Sequence, residues 1–230
     1  MILREQKLYL NNSFKKIDKE KWPRAYYYDY FMNSMRCRFG MTANIDITNF
    51  LKAIKSNNLR FYPTITYAVS NIINKFEEFR AFIDKNGEII IWDVLNVRYP
   101  MFNSKDETVT SIWLEYCENF KEFYDKALLD IEKYSGEKSM YAKPNFPPNF
   151  YDITSIPWVS FTDFQIDMYG TDGTWLMPFV AVGKFFEQDG RTLLPVHIKV
   201  HHATCDGYYV GKFYSELQKL VNNTDSWLKI

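Results

Sequence analysis

The sequence predicts an α/β fold, with a mixed β-sheet and helices packed on it. Three observations predict it. Stretches of helical periodicity come before most of the strands, two hairpin signals appear, and an alternating apolar strand near the C-terminus runs directly into a helix. Strands and helices do not alternate one for one, so strict βαβ repetition is excluded.

In chain order, Asp46 to Ile54 reads as a short helix. A second begins near Pro63, where Ile65, Val69, Ile72 and Phe76 share one face and proline suits a first turn. Phe82 to Asp84 and Ile89 to Trp92 flank Lys85-Asn86-Gly87-Glu88, and Asn-Gly is a strong hairpin signal. A longer helix is expected near Glu115 to Tyr134, on Phe120, Phe123, Ala127 and Ile131, followed by a proline-rich loop from Lys143 to Pro148. Strands are expected at Trp158 to Phe161, Phe164 to Met168, Leu176 to Lys184 and Thr192 to His201, with Gln188-Asp189-Gly190-Arg191 turning the last two into a hairpin. A final helix from about Tyr208 to Val221 carries Val210, Phe213, Leu217 and Leu220 on one side.

Composition narrows the class. The 230 residues are 47% hydrophobic and 18% aromatic, enough for a sizeable core and against disorder. No linker, repeat or block of like charge divides the chain, so 1–230 reads as a single domain. Lys+Arg and Asp+Glu both number 28, which offers no electrostatic footprint for nucleic acid or an anionic membrane. Cys37, Cys117 and Cys205 form no CxxC pair and read as reduced thiols. The N-terminus lacks a signal-peptide core, and the longest apolar stretch, around Trp175 to Gly183, falls far short of the ~20 residues a spanning helix needs. A soluble, cytoplasmic protein is expected.

The chemistry concentrates in His201-His202-Ala203-Thr204-Cys205-Asp206-Gly207. Val196, Ile198 and Val200 alternate with His197, Lys199 and His201, so His202 falls on the apolar face and His201 on the other. A histidine held away from bulk water can stay neutral and act as a base, although a core histidine with both nitrogens bonded is the bland alternative. Adjacent strand histidines diverge and no second ligand cluster exists, so no metal is expected. A Cys205–His202 nucleophile pair is conceivable, but Cys205 better suits a small buried site. Asp206 stands where a helix N-cap belongs.

The HHxxxDG pattern resembles the active-site signature of the chloramphenicol acetyltransferases. Dihydrolipoamide acyltransferase cores and peptide-synthesis condensation domains share that pattern, but further segments follow the chloramphenicol acetyltransferase order and rough spacing. Trp22-Pro23-Arg24 is similar to the family's Trp-x-Arg, and Ile153-Thr154-Ser155-Ile156-Pro157-Trp158-Val159-Ser160-Phe161 to its segment ending Pro-Trp-Val-x-Phe. Phe61-Tyr62-Pro63, Ile91-Trp92-Asp93 and Glu107-Thr108 also fit. The resemblance runs from about Phe14 to Leu220.

It implies a two-layer sandwich with a mixed β-sheet covered by helices. It also implies an acetyl-CoA-dependent O-acetyltransferase that acetylates the primary hydroxyl of chloramphenicol in a ternary complex and so gives antibiotic resistance. His202 would be the general base, Thr154 (serine in most members) the donor to the oxyanion with Ser155 second, and Asp206 and Arg24 an ion pair ordering the site. Tyr30, Phe31 and Cys37 would line the histidine and acceptor pocket, with the phenol and phenyl of Tyr30-Phe31 in reversed order. Trp158 is either a core aromatic or part of the coenzyme channel. The implied assembly is a homotrimer, with His202 from one subunit and the Tyr30–Cys37 wall mainly from its neighbour. Two other readings remain at this point: the same chemistry on a different hydroxylated small molecule, and a non-catalytic drug- or CoA-binding protein.

Overall fold

The computed structural model describes residues 13–166 and 174–229. The principal sheet contains β2 (Arg38–Asp46), β5 (Asn96–Asn103), β6 (Thr108–Leu114), β7 (Phe150–Ser155), β8 (Phe179–Val182), β9 (Phe186–Gln188) and β10 (Arg191–His201). Its order is β2-β10-β8-β7-β5-β6, with β9 pairing β10. β5–β7 and β7–β8 are parallel and the other pairs antiparallel, so the sheet is mixed. A smaller sheet joins β1 (Phe14–Lys16), β4 (Ile89–Trp92) and β3 (Ala81–Ile83).

One face of the large sheet is covered by α2 (Thr48–Ser56), α3 (Phe61–Lys75), α4 (Phe120–Tyr134) and α5 (Gly207–Asn222). Between the layers lies one apolar cluster, to which Val97, Ile153, Val180, Val196, Ile198 and Val200 contribute from the strands and Phe50, Ile65, Phe123 and Phe213 from the helices. Burying side chains of this size is worth ~1.5–3 kcal/mol each, which selects the register that sends every second strand residue inward.

β10 is buried along almost its whole length because it lies between β2 and β8. Pro195 is tolerated there. Its carbonyl faces the β8 side and accepts from Gly183, so its missing N–H falls where β10 passes from β9 to β8. Both expected turns form, the second joining the short strand β9, rather than the strand expected at Leu176 to Lys184, to β10. Gly87 adopts φ +79° in the β3–β4 turn, and Asp189 and Gly190 adopt φ +50° and +74° between β9 and β10.

Several boundaries differ from the sequence reading. α4 starts at Phe120 rather than near Glu115, because β6 runs to Leu114 and the Asn119 side chain caps the helix by accepting from the Glu122 N–H. Trp158 to Phe161 is not a strand. β7 comes earlier, and beyond Pro157 the chain is irregular with Trp158 and Val159 exposed. Phe164 to Ile166 is also irregular, and the remainder of that expected strand lies outside the described residues. Leu176 to Lys184 shortens to β8. Among the described residues, no helix is long and apolar enough to cross a membrane.

Candidate active site

β10 ends at His201, and the chain then turns sharply before α5. His201 is fully buried and belongs to the turn itself. Its Nδ1 accepts the Ala203 N–H at 3.1 Å, and its carbonyl accepts from the Thr204 and Cys205 N–H groups. His202 is half-buried, with its N–H donating to the Cys37 carbonyl at 2.9 Å. Its ring lies flat on Phe31, with centroids 4.0 Å apart and planes 8° apart, and meets Phe39 at 5.2 Å. Nδ1 is buried without a hydrogen-bond partner among the described residues. A core histidine satisfied at both nitrogens is therefore the wrong description.

Phe31 reaches this place through an unusual local backbone. The helix α1 (Ala25–Asp29) widens into a π-helical turn over Tyr30–Ser34, closed by the Met35 N–H on the Tyr30 carbonyl. Such turns are rare and recur at functional sites. Tyr30 remains substantially exposed and packs edge-on against Phe31.

Arg24 fastens the other side of the turn. Its Nε donates to the Ala203 carbonyl, Nη2 to the His202 carbonyl and Nη1 to Asp206 Oδ2, each at 2.9 Å. Asp206 is also the N-cap of α5, accepting from the Tyr208 N–H at 3.1 Å. One carboxylate thus serves as both helix cap and ion-pair partner. Burial opposes its charge, but Arg24 and the backbone N–H groups of α5 hold the Asp206 carboxyl below the ordinary range. Arg24→Ala, which removes three charge-assisted bonds, is expected to cost about 2 kcal/mol or more of stability. Asp206→Asn, which keeps a capping oxygen, should cost about 1 kcal/mol. A double-mutant cycle followed by thermal denaturation should give a total smaller than the sum; strict additivity would mean that the pair is not coupled.

Cys205 is buried, and burial pushes its thiol well above the ordinary range. Its Sγ–H faces the Asp206 carbonyl, so the thiol is packed and protonated rather than poised as a nucleophile.

Thr154 lies elsewhere in the same chain. On β7 it pairs with Ala181, and Ala181 pairs with His197 on β10. His202 is five residues further along the chain than His197, roughly 15 Å along the strand direction at about 3.3 Å per residue, with two strand spacings of roughly 5 Å across. Thr154 opens instead into a cavity of about 340 Å³ that it shares with Arg98, Asp152, Ile156 and Phe179, and His202 does not line it. No single small reacting group can bridge that separation within one chain. Ser155 follows on the opposite side of β7, level with Val182. Trp158 is 60% exposed and meets the exposed Phe102 edge-on at 5.0 Å, so it is not a core aromatic.

The expected division of the pocket between subunits also needs correction. Phe31 and the Cys37 carbonyl contact His202 of their own chain, so part of the expected wall meets the histidine within one subunit. Three features of the surroundings escaped the sequence reading: Phe39 beside His202, the Arg98–Asp152 pair beside Thr154, and the buried His197 packed against Gly40. All three depend on strand pairing, which carries no local sequence signal.

Comparison with known proteins identifies the family and the fold. The family model described as chloramphenicol acetyltransferase matches residues 12–218. A chloramphenicol acetyltransferase of Clostridium perfringens is 43% identical over 94% of this chain and 98% of its own length. One from Bacillus pumilus is 37% identical over 94% and 96%. A solved chloramphenicol acetyltransferase superimposes with TM-score 0.82 at 22% identity, covering 91% of this chain and all of the other. The cubic core of a pyruvate dehydrogenase complex shares the fold at TM-score 0.65 and 14% identity, covering 99% of this chain and 89% of its own. With its histidine turn, its arginine clamp and near-complete coverage by these relatives, the chain belongs to the chloramphenicol acetyltransferase family.

Proposed function

We propose that this protein transfers the acetyl group of acetyl-CoA to the primary hydroxyl of chloramphenicol, and thereby confers resistance to that antibiotic. The observation that carries the reading is the His202 turn, stacked on Phe31 and held by three hydrogen bonds from Arg24. An alcohol is not ionised at neutral pH, so its attack on a thioester needs a positioned base. His202 takes the hydroxyl proton and later returns it to the departing thiolate. Thr154 donates to the thioester oxygen as negative charge builds there. Arg24 and Asp206 fix the turn that carries the base, and the Phe31 ring covers one face of its imidazole. The direct test is thiol release from acetyl-CoA with and without chloramphenicol, then with other alcohols. Release that does not depend on any acceptor would overturn the reading.

The separation of Thr154 from His202 supports a site shared between two copies of the chain, and we take the assembly to be the homotrimer that family membership suggests. Mixing inactive His202→Ala chains with inactive Thr154→Ala chains should restore activity. Random mixing places both intact residues at roughly one site in four. Hybrids that stay as inactive as either parent, or a fully active monomer in sedimentation, would refute the shared site.

A further inference from the structure

Arg98 on β5 and Asp152 on β7 are direct neighbours in a parallel strand pair. Nε and Nη2 of Arg98 donate to Oδ1 and Oδ2 of Asp152 at 2.5 and 2.8 Å, with the two side chains 22% and 9% exposed. The guanidinium carbon also lies 4.7 Å from the Phe150 ring centre and 5.4 Å from that of Phe146. Asp152 precedes Thr154 by two residues, so both share one face of the sheet, and with Arg98 they line the same cavity.

The pair is poorly explained by stability. Exchanging a buried ion pair for apolar side chains of similar volume is often neutral or favourable. Its surroundings explain it better. A cavity of about 340 Å³ with largely apolar walls and a few polar groups, among them Arg98, Asp152 and Thr154, has the make-up of a small-molecule pocket. The carboxylate takes two of the five guanidinium N–H donors and the Tyr141 hydroxyl is a further partner, which leaves two for a ligand. Asp152 already balances the charge of Arg98, so the pocket favours a neutral partner over an anionic one.

We infer that Arg98, held in place by Asp152, is a specificity-determining residue of the acceptor pocket, donating hydrogen bonds to a neutral oxygen-bearing group of the alcohol such as a nitro or amide oxygen. The inference rests on the reading of Thr154 as a wall of the reaction site.

The test is the double variant Arg98→Met/Asp152→Leu, which leaves neither charge stranded. Binding of chloramphenicol to the full chain is measured by calorimetry without acetyl-CoA, and KM for each substrate is measured separately. Weakening of chloramphenicol binding by about tenfold or more, with KM for acetyl-CoA within about twofold of the parent, is the expected result. Unchanged chloramphenicol binding by the folded variant overturns the inference, as does a rise confined to the KM for acetyl-CoA, which would make this the coenzyme's pocket. Should the double variant fail to fold, Arg98→Lys keeps the charge, loses the fork and is expected to weaken chloramphenicol binding in the same direction. Failure of the proposed function shows differently: the parent protein would release no thiol on adding chloramphenicol, whatever the binding comparison gives.

Discussion

His202→Ala should lower turnover by about 10²–10⁴ while leaving the fold intact, since that is the usual contribution of a positioned general base. The His202 ring is half-buried and its Nδ1 bonds to nothing among the described residues, so removing it breaks no hydrogen bond seen there. Its loss should show in steady-state turnover far more than in melting temperature. His201→Ala is the contrasting control. That ring is fully buried and accepts from the Ala203 N–H, so its removal should lower the melting temperature first. A folded His202→Ala protein that retains most of its turnover would end the general-base account.

The second large effect is expected at Thr154. If its hydroxyl meets the developing negative charge, Thr154→Ala should reduce turnover by about 10²–10³, with little change in the KM for acetyl-CoA. Thr154→Ser should keep or raise activity, because the donor survives and the additional methyl is gone. The residue is half-buried at a cavity wall and not in the apolar cluster, so neither change should cost much stability. Should Thr154→Ala turn over normally, the oxyanion must be met by another donor, with the Ser155 hydroxyl first in line.

How much of this was legible in the chain depended on whether the information was local. The Asn86-Gly87 and Asp189-Gly190 turns could be read because the hairpins demand positive φ at Gly87, Asp189 and Gly190. α5 could be read because Asp206 caps it and Val210, Phe213 and Leu217 recur on its buried side. β2 escaped notice: Gly40, Asn44 and the exposed Met41 blur its alternation, and it is a strand chiefly because it pairs with β10. β5 was hidden in the same way by Arg98 and Pro100. The apolar run at Trp158 to Phe161 misled because a strand and an exposed irregular segment can share a composition. At the site, the strand-to-helix pattern located His202 and Asp206 in the sequence, and the family resemblance added Arg24. Neither said anything of the distance between Thr154 and His202, which is set by a register running through three strands.

The Arg24 clamp also bears on when this protein first becomes competent. Its three bonds join positions 178 to 182 residues apart, and the β2–β10 pairing that carries the turn is almost as distant in sequence. Contacts of that span carry a large loop-closure entropy and form late in folding. On the ribosome, Arg24 emerges early and waits for nearly the entire chain, while α3 and the β3–β4 hairpin can form from neighbouring residues alone. The turn bearing His202 is thus among the last parts to take shape. A chain truncated before α5 would retain much of its local structure, yet it would lack the segment that Arg24 grips.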